Sequence, residues 1–325
     1  MSDLLIAVRA VHLASTVLLA GTVVFDVVVV GPVPRSARAD PQLNAWRRQS
    51  IGIAWISLAT AVLSGAAWLV VLAANIGGLP LDEVFSSDIV WRVLTRTRFG
   101  TDWSARLLVA LLLAGGLMVL ARRRDTAPRW LGAILVTLAI LFLGSLAWAG
   151  HASGTPALLG DVHITADVLH LVAAGAWIGC LVPLALLLAA GRRAADPAVA
   201  SVARDATLRF STLGVIAVGS LLATGLVNTY VLVGSVPALV ATDYGQLLLV
   251  KIGLFVAMVC IAAFNRLRLA PRLSSAGIGA GAQRQLQRNS LIEAAMGVLI
   301  LVIVGALGTL PPGVHALPSS HKHGH

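Results

Sequence analysis

Residues 164–190 read ITADVLHLVAAGAWIGCLVPLALLLAA. Asp167 and His170, both near the start, are its only ionisable residues besides Cys180. A helix rises about 1.5 Å per residue and the apolar core of a bilayer is about 30 Å thick. A run of this length and composition therefore spans a membrane. The whole chain has the same character: 58% of its 325 residues are hydrophobic and 12% are charged, and mean hydropathy is +0.89. Soluble domains carry roughly 25% charged residues. Lipid cannot satisfy backbone polar groups, so spans are helices or closed barrels. The runs here do not alternate as barrel strands do. The chain reads as an all-α polytopic membrane protein.

Eight spans are predicted, at 4–31, 51–76, 103–121, 129–150, 164–190, 210–235, 245–264 and 289–311. Pro183 is expected to kink the fifth. The first is too long for a signal-peptide core and no Lys or Arg precedes it, so it is read as a retained span. Arginines crowd alternate loops: Arg35, Arg38, Arg47 and Arg48; Arg122, Arg123, Arg124 and Arg129; Arg192, Arg193, Arg204 and Arg209; Arg266, Arg268, Arg272, Arg284 and Arg288. By the positive-inside rule these loops are cytoplasmic and both termini are periplasmic. The net charge of +10 is thus explained by topology. No single basic domain exists to engage nucleic acid.

The chain is expected to be a tandem repeat of two four-helix units, 1–150 and 151–312, followed by a His-rich tail, 313–325. HLASTVLLAG (12–21) parallels HLVAAGAWIG (170–179). Phe99-Gly100 with Arg106 parallels Tyr244-Gly245 with Lys251, and Gly150-His151 parallels Gly313-Val314-His315. Each unit has an even number of spans, so a pseudo-twofold axis would lie along the membrane normal.

On this topology all eight histidines fall toward the periplasmic side. His163, Asp167 and His170 stand at i, i+4 and i+7, on one helix face. His163 and His170 are roughly 10 Å apart along the axis, which suits successive stations better than one shared ion. Under the repeat, His12 and His170 are equivalent and are expected to face each other. Imidazole suits copper, zinc, iron and nickel, and Asp167 would ligate or fix a histidine tautomer. The metal candidates are His12, His151, His163, His170 and Asp167. Weaker ones are His315, His321, His323 and His325 in the tail, and Cys180 as a soft ligand. Cys180 and Cys260 otherwise read as small packed residues. Lys251, Arg106, Glu293 and Asn228 are ionisable or polar groups inside spans, and are read as gating or structural.

No P-loop, HExxH or GxSxG is present, so neither ATP-driven pumping by this chain nor hydrolysis is indicated. Four methionines form no MxxM cluster.

The pieces GHA (150–152), HLVAAGAWIG (170–179), RFS (209–211), Thr224-Gly225 with Asn228, Tyr244-Gly245 with Leu248 and Lys251, Asn265-Arg266, RNSLIE (288–293) and Pro311-Pro312 occur in order. Together they resemble the CopD family of bacterial copper-resistance inner-membrane proteins, over nearly the whole chain. Gly179-Cys180 departs from the family's Gly-Gly. The resemblance implies eight spans, copper, as Cu(II) or Cu(I), bound on the periplasmic side and moved across the inner membrane, and work beside a CopC-like periplasmic copper-binding protein. That partner is expected to be a separate chain here. The expectation is a non-enzymatic, multi-pass copper-handling protein that passes copper to a site between the first and fifth spans. Two alternatives stand beside it: a b-type haem protein or cupric reductase with His12 and His170 as axial ligands, and a sensor or scaffold that docks a copper chaperone without transport.

Overall fold

The computed structural model describes residues 2–34, 36–123, 128–149, 157–274 and 279–316. His151, His321, His323 and His325 lie outside them, as does the side chain of His315. Among the described residues there are helices and no strands, and eight helices are long and apolar enough to cross a membrane. They come in the expected order, so the chain returns to the end of the bundle where it began. That end is called the terminal end, and the opposite one the arginine-rich end.

Helix α1 (Ser2–Val24) runs into a π-helical turn, Phe25–Val30, and stops at Gly31, whose φ is +62°. Helix α2 (Pro41–Gly77) is capped by Asp40, which accepts from the Gln42 and Leu43 amides. It starts ten residues before the predicted span because its first turns are polar and lie outside the apolar slab. Short α3 (Ile89–Arg96) leads into α4 (Arg98–Arg122), then α5 (Arg129–Gly144) with a 3₁₀ extension, Ser145–Ala149. Helix α6 (Ala157–Arg193) continues through Pro183 as one helix. The Pro183 carbonyl accepts from Trp46 Nε1 at 3.1 Å. Helix α7 (Pro197–Leu232) is capped by Asp196. Short α8 (Val236–Ala241) precedes α9 (Asp243–Phe264), which ends in a π turn, Asn265–Leu269, and a 3₁₀ turn, Ala270–Ser274. Helix α10 (Gly279–Leu307) and the single turn α11 (Gly313–Ala316) complete the fold.

Helices α1 and α6 form the centre: 72% of an 18-residue apolar stretch of each is buried, against 11% for α9. Helix α2 packs on α1 and α7 on α6, while α10 lies against both central helices. The central pair meets at Gly21 and Gly179. A Cβ on Gly21 would lie 2.3 Å from Gly179 Cα, and one on Gly179 would lie 2.2 Å from the Val17 carbonyl oxygen. Only glycine lets the two backbones approach so closely. Ile56, Leu63, Leu111, Ile216 and Leu226 are exposed on the outside of the bundle, an apolar surface that lipid covers.

Candidate metal-handling site

A cavity of about 350 Å³ opens between α1, α6, α7, α9 and α10 in the terminal half. His163, Asp167 and His170 line it, as their shared helix face requires. Ala174 and Trp177 continue the same stripe, and Asn228, Tyr244, Lys251 and Arg9 complete the polar wall. The geometry assigns the His170 tautomer. Thr224 Oγ1 donates to the Ser220 carbonyl at 2.6 Å, so it has no proton left for the imidazole 2.9 Å away. His170 Nδ1 therefore donates to Thr224, and the Nε2 lone pair is the one left for a ligand. Asn228 Nδ2 donates to Asp167 Oδ1 at 3.3 Å. Asn228 Oδ1 is buried without a hydrogen-bond partner. Lys251 interacts electrostatically with Asp167. His163 is buried on the same wall.

His12 sits differently. Its ring is fully buried and packs edgewise on Trp68 at 5.7 Å and against Trp103 at 5.3 Å. Nδ1 lies 2.9 Å from the Ala61 carbonyl and 3.2 Å from Ser64 Oγ. Ser64 in turn donates to the Thr60 carbonyl at 2.6 Å. Arginine has donors only, so Arg106 Nη2, at 3.0 Å, donates to His12 Nε2. Both ring nitrogens are engaged, and His12 does not line the cavity that holds His170. The expected His12–His170 pair is not formed. The central helices make their close contact nine residues further along, at Gly21 and Gly179. A haem does not fit His12 as an axial ligand, since no ring lone pair is open.

The other candidates are placed as follows. Arg106 is buried and also donates to the Phe142 carbonyl at 2.7 Å and to Ser145 Oγ. Cys180 is packed at the central crossing, where Sγ donates to the Gly21 carbonyl at 3.2 Å. Glu293 is buried toward the arginine-rich end and accepts from Asn265 Nδ2 at 2.8 Å. Among the described residues no three His, Cys, Asp or Glu side chains converge as a ready-made metal cluster. Sequence reasoning quoted Thr224 only as part of the resemblance, without a role, and missed Ser64; these two hold the histidines. A partial signal was there: a hydroxyl residue followed by glycine, Ser64-Gly65 in α2 and Thr224-Gly225 in α7. It also missed Arg9 and Trp177 as cavity-lining residues.

Residues 204–307 match the family described as Copper resistance protein D, and residues 1–161 match Copper resistance protein D-like, N-terminal domain. The chain is 32% identical to Inner membrane protein YebZ of Escherichia coli, over 94% of this chain and 98% of that one. It is 33% identical to Copper resistance protein D of Pseudomonas syringae, over 69% and 72%. The chain belongs to the copper resistance protein D family. Copper transport protein CutJ of Bacillus subtilis is 30% identical over 73% of this chain but only 41% of its own length. No solved structure matches. Family membership and eight membrane-capable helices make this a multi-pass inner-membrane protein of the copper-resistance and copper-transport class.

Proposed function

We propose that this protein carries copper ions across the inner membrane, taking them from the periplasm into the cavity beside α6. The carrying observation is the His170 Nε2 lone pair, fixed by Thr224, on the same cavity wall as the Asp167 carboxylate and the unpartnered Asn228 carbonyl. Imidazole nitrogen with carboxylate and carboxamide oxygen is a set suited to Cu(II). His163, two turns nearer the terminal end, serves as the preceding station. His151 and the tail histidines 315, 321, 323 and 325 capture copper before it. Lys251 neutralises Asp167, so an arriving cation competes with its ammonium for the carboxylate. A CopC-like periplasmic protein fits as the donor.

This reading takes the arginine-rich end as cytoplasmic and the termini as periplasmic, which the loop arginines support. It also takes the chain as two like-oriented four-helix units, 1–150 and 151–312. Support comes from matched details. Asp40-Pro41 and Asp196-Pro197 cap α2 and α7. Thr97 and Thr242 cap α4 and α9 through Gly100 and Gly245. Gly21 and Gly179, each nine residues beyond its histidine, meet at the centre. The first unit then has its histidine sealed by Arg106 and two tryptophans, and the second has its histidine open to the cavity.

Proteoliposomes given copper, zinc or nickel test the reading. Copper should accumulate and His170→Ala should abolish accumulation. Docking of a periplasmic copper-binding protein without any metal flux would replace transport by a scaffold role.

A further inference from the structure

A second cavity, of about 240 Å³, lies on the arginine-rich side between α6, α7, α9 and α10. Glu293, Ser290, Asn265 and Arg266 line it. Among the described residues, Trp177 is the only side chain that lines both this cavity and the one holding His170. It is 1% exposed, and Phe255 packs edgewise on it at 5.8 Å. Trp177 thus stands as the partition between two cavities that approach each other from opposite ends of the bundle.

Glu293 shares that cavity with the partition. Asn265 donates to its carboxylate at 2.8 Å, and the Trp177 indole lines the same cavity. Asn289 Nδ2 donates to Asn265 Oδ1 at 2.6 Å, which fixes the amide's orientation. These partners are neutral. The charged side chain on the same wall, Arg266, reaches from the π turn to Ser211 Oγ at 2.8 Å. Helices α6 and α1 present no titratable side chain to this cavity among the described residues, and the α10 neighbours Leu286 and Ser290 are neutral. A carboxylate within a membrane span, held by neutral N–H donors, is a functional group by default. Copper does not suit it. The wall has no histidine, cysteine or methionine among the described residues, and Asn265 Oδ1 is already taken. One carboxylate is enough for a proton.

We propose that Glu293 is a proton-binding residue, reached from the arginine-rich end, that holds the Trp177 partition when ionised and frees it when protonated. Hydronium entering the cavity gives up a proton: one of its O–H bonds breaks, an O–H bond forms on the carboxyl group, water is left, and the two charges cancel. A hydrogen bond to an ionised acceptor is roughly twice as strong as one between neutral groups. Protonation therefore loosens the indole, and return of the proton to water restores the hold. The role in coupling rests on the transport reading above; the proton site itself is tested apart from it.

The reconstituted full chain is compared with Glu293→Gln, and with Glu293→Asp as the variant that keeps a carboxylate. Two readouts are used: luminal pH from an entrapped dye while copper is added outside, and the carboxyl band in an infrared pH titration without copper. The parent should change luminal pH as copper enters and show a titrating carboxyl band. Glu293→Gln should lose both while eluting as a folded, monodisperse protein, and Glu293→Asp should recover the band. Proton movement in Glu293→Gln equal to the parent overturns the proposal. Copper entry in the parent without proton movement overturns the role in coupling and leaves transport standing, and the infrared arm then decides the site. If the parent moves no copper, the transport reading fails and the infrared arm decides: a band missing in Glu293→Gln upholds the site, and an unchanged band removes it.

Discussion

At the scale of single residues, the contrast is between two histidines with the same tautomer and opposite fates. Both present Nδ1–H to a neighbouring helix, His12 to the Ala61 carbonyl and His170 to Thr224. The difference lies at Nε2, which Arg106 occupies on His12. The glycines beside them report the same contrast. A Cβ on Gly65 would strike the Trp103 ring at 2.0 Å, whereas one on Gly225 would meet only His170 Cε1, at 3.7 Å. Two outcomes follow. Thr224→Val removes the acceptor that orients His170, and loss of such a partner weakens metal binding by about 10–100-fold. Copper titration of the purified variant reads this directly. His12→Ala should leave that titration unchanged. It strands a buried guanidinium donor instead, at about 1–3 kcal/mol or more, visible as a lowered melting temperature. The positions of the histidines were legible in the sequence, but the use of each lone pair was not. That depends on whether the neighbouring cation, Arg106 for His12 and Lys251 for His170, meets the imidazole or a carboxylate.

At the scale of helices, apolar runs revealed all eight spans, because hydropathy records the part of each helix that sits in lipid. It is silent on polar helical turns beyond the slab. That is why α2, α7 and α10 begin ten or more residues before their predicted spans, at Pro41, Pro197 and Gly279. The central crossing was half legible. The motif that parallels His12 with His170 ends in Gly21 and Gly179, but spacing alone cannot say that the glycines, not the histidines, meet. The partners decide it, since His12 turns to Ala61 and Arg106 and His170 turns to Thr224. Gly21→Ala and Gly179→Ala should each force the central helices apart. Overpacking of this kind costs about 1–3 kcal/mol, occasionally more. Gly115→Ala, where an added Cβ meets nothing within 4 Å, should leave the melting temperature unchanged or raised. Equal melting of the Gly21, Gly115 and parent proteins would remove the close crossing.

At the scale of the whole molecule, transport requires that a path exist and that it be closed. The stripe His163, Asp167, His170, Ala174 and Trp177 on α6 carries both requirements. Its first members line one cavity, and its last also borders the second. Seven residues, roughly 10 Å along the helix, separate His170 from the partition. Trp177→Ala should join the cavities, and Trp177→Phe should keep them apart while losing the indole N–H. The alanine variant loses a large buried ring and about 3–5 kcal/mol of stability, so its folding is checked first by elution and melting. In vesicles without copper it should then leak protons down an imposed pH gradient faster than the parent. The phenylalanine variant, which keeps a ring but loses the hold of Glu293, should leak more than the parent and less than the alanine variant. A Trp177→Ala protein that is folded and no leakier than the parent would show that the barrier lies elsewhere in the bundle. The closing side chain would then have to be sought among the residues that pack on Trp177, beginning with Phe255.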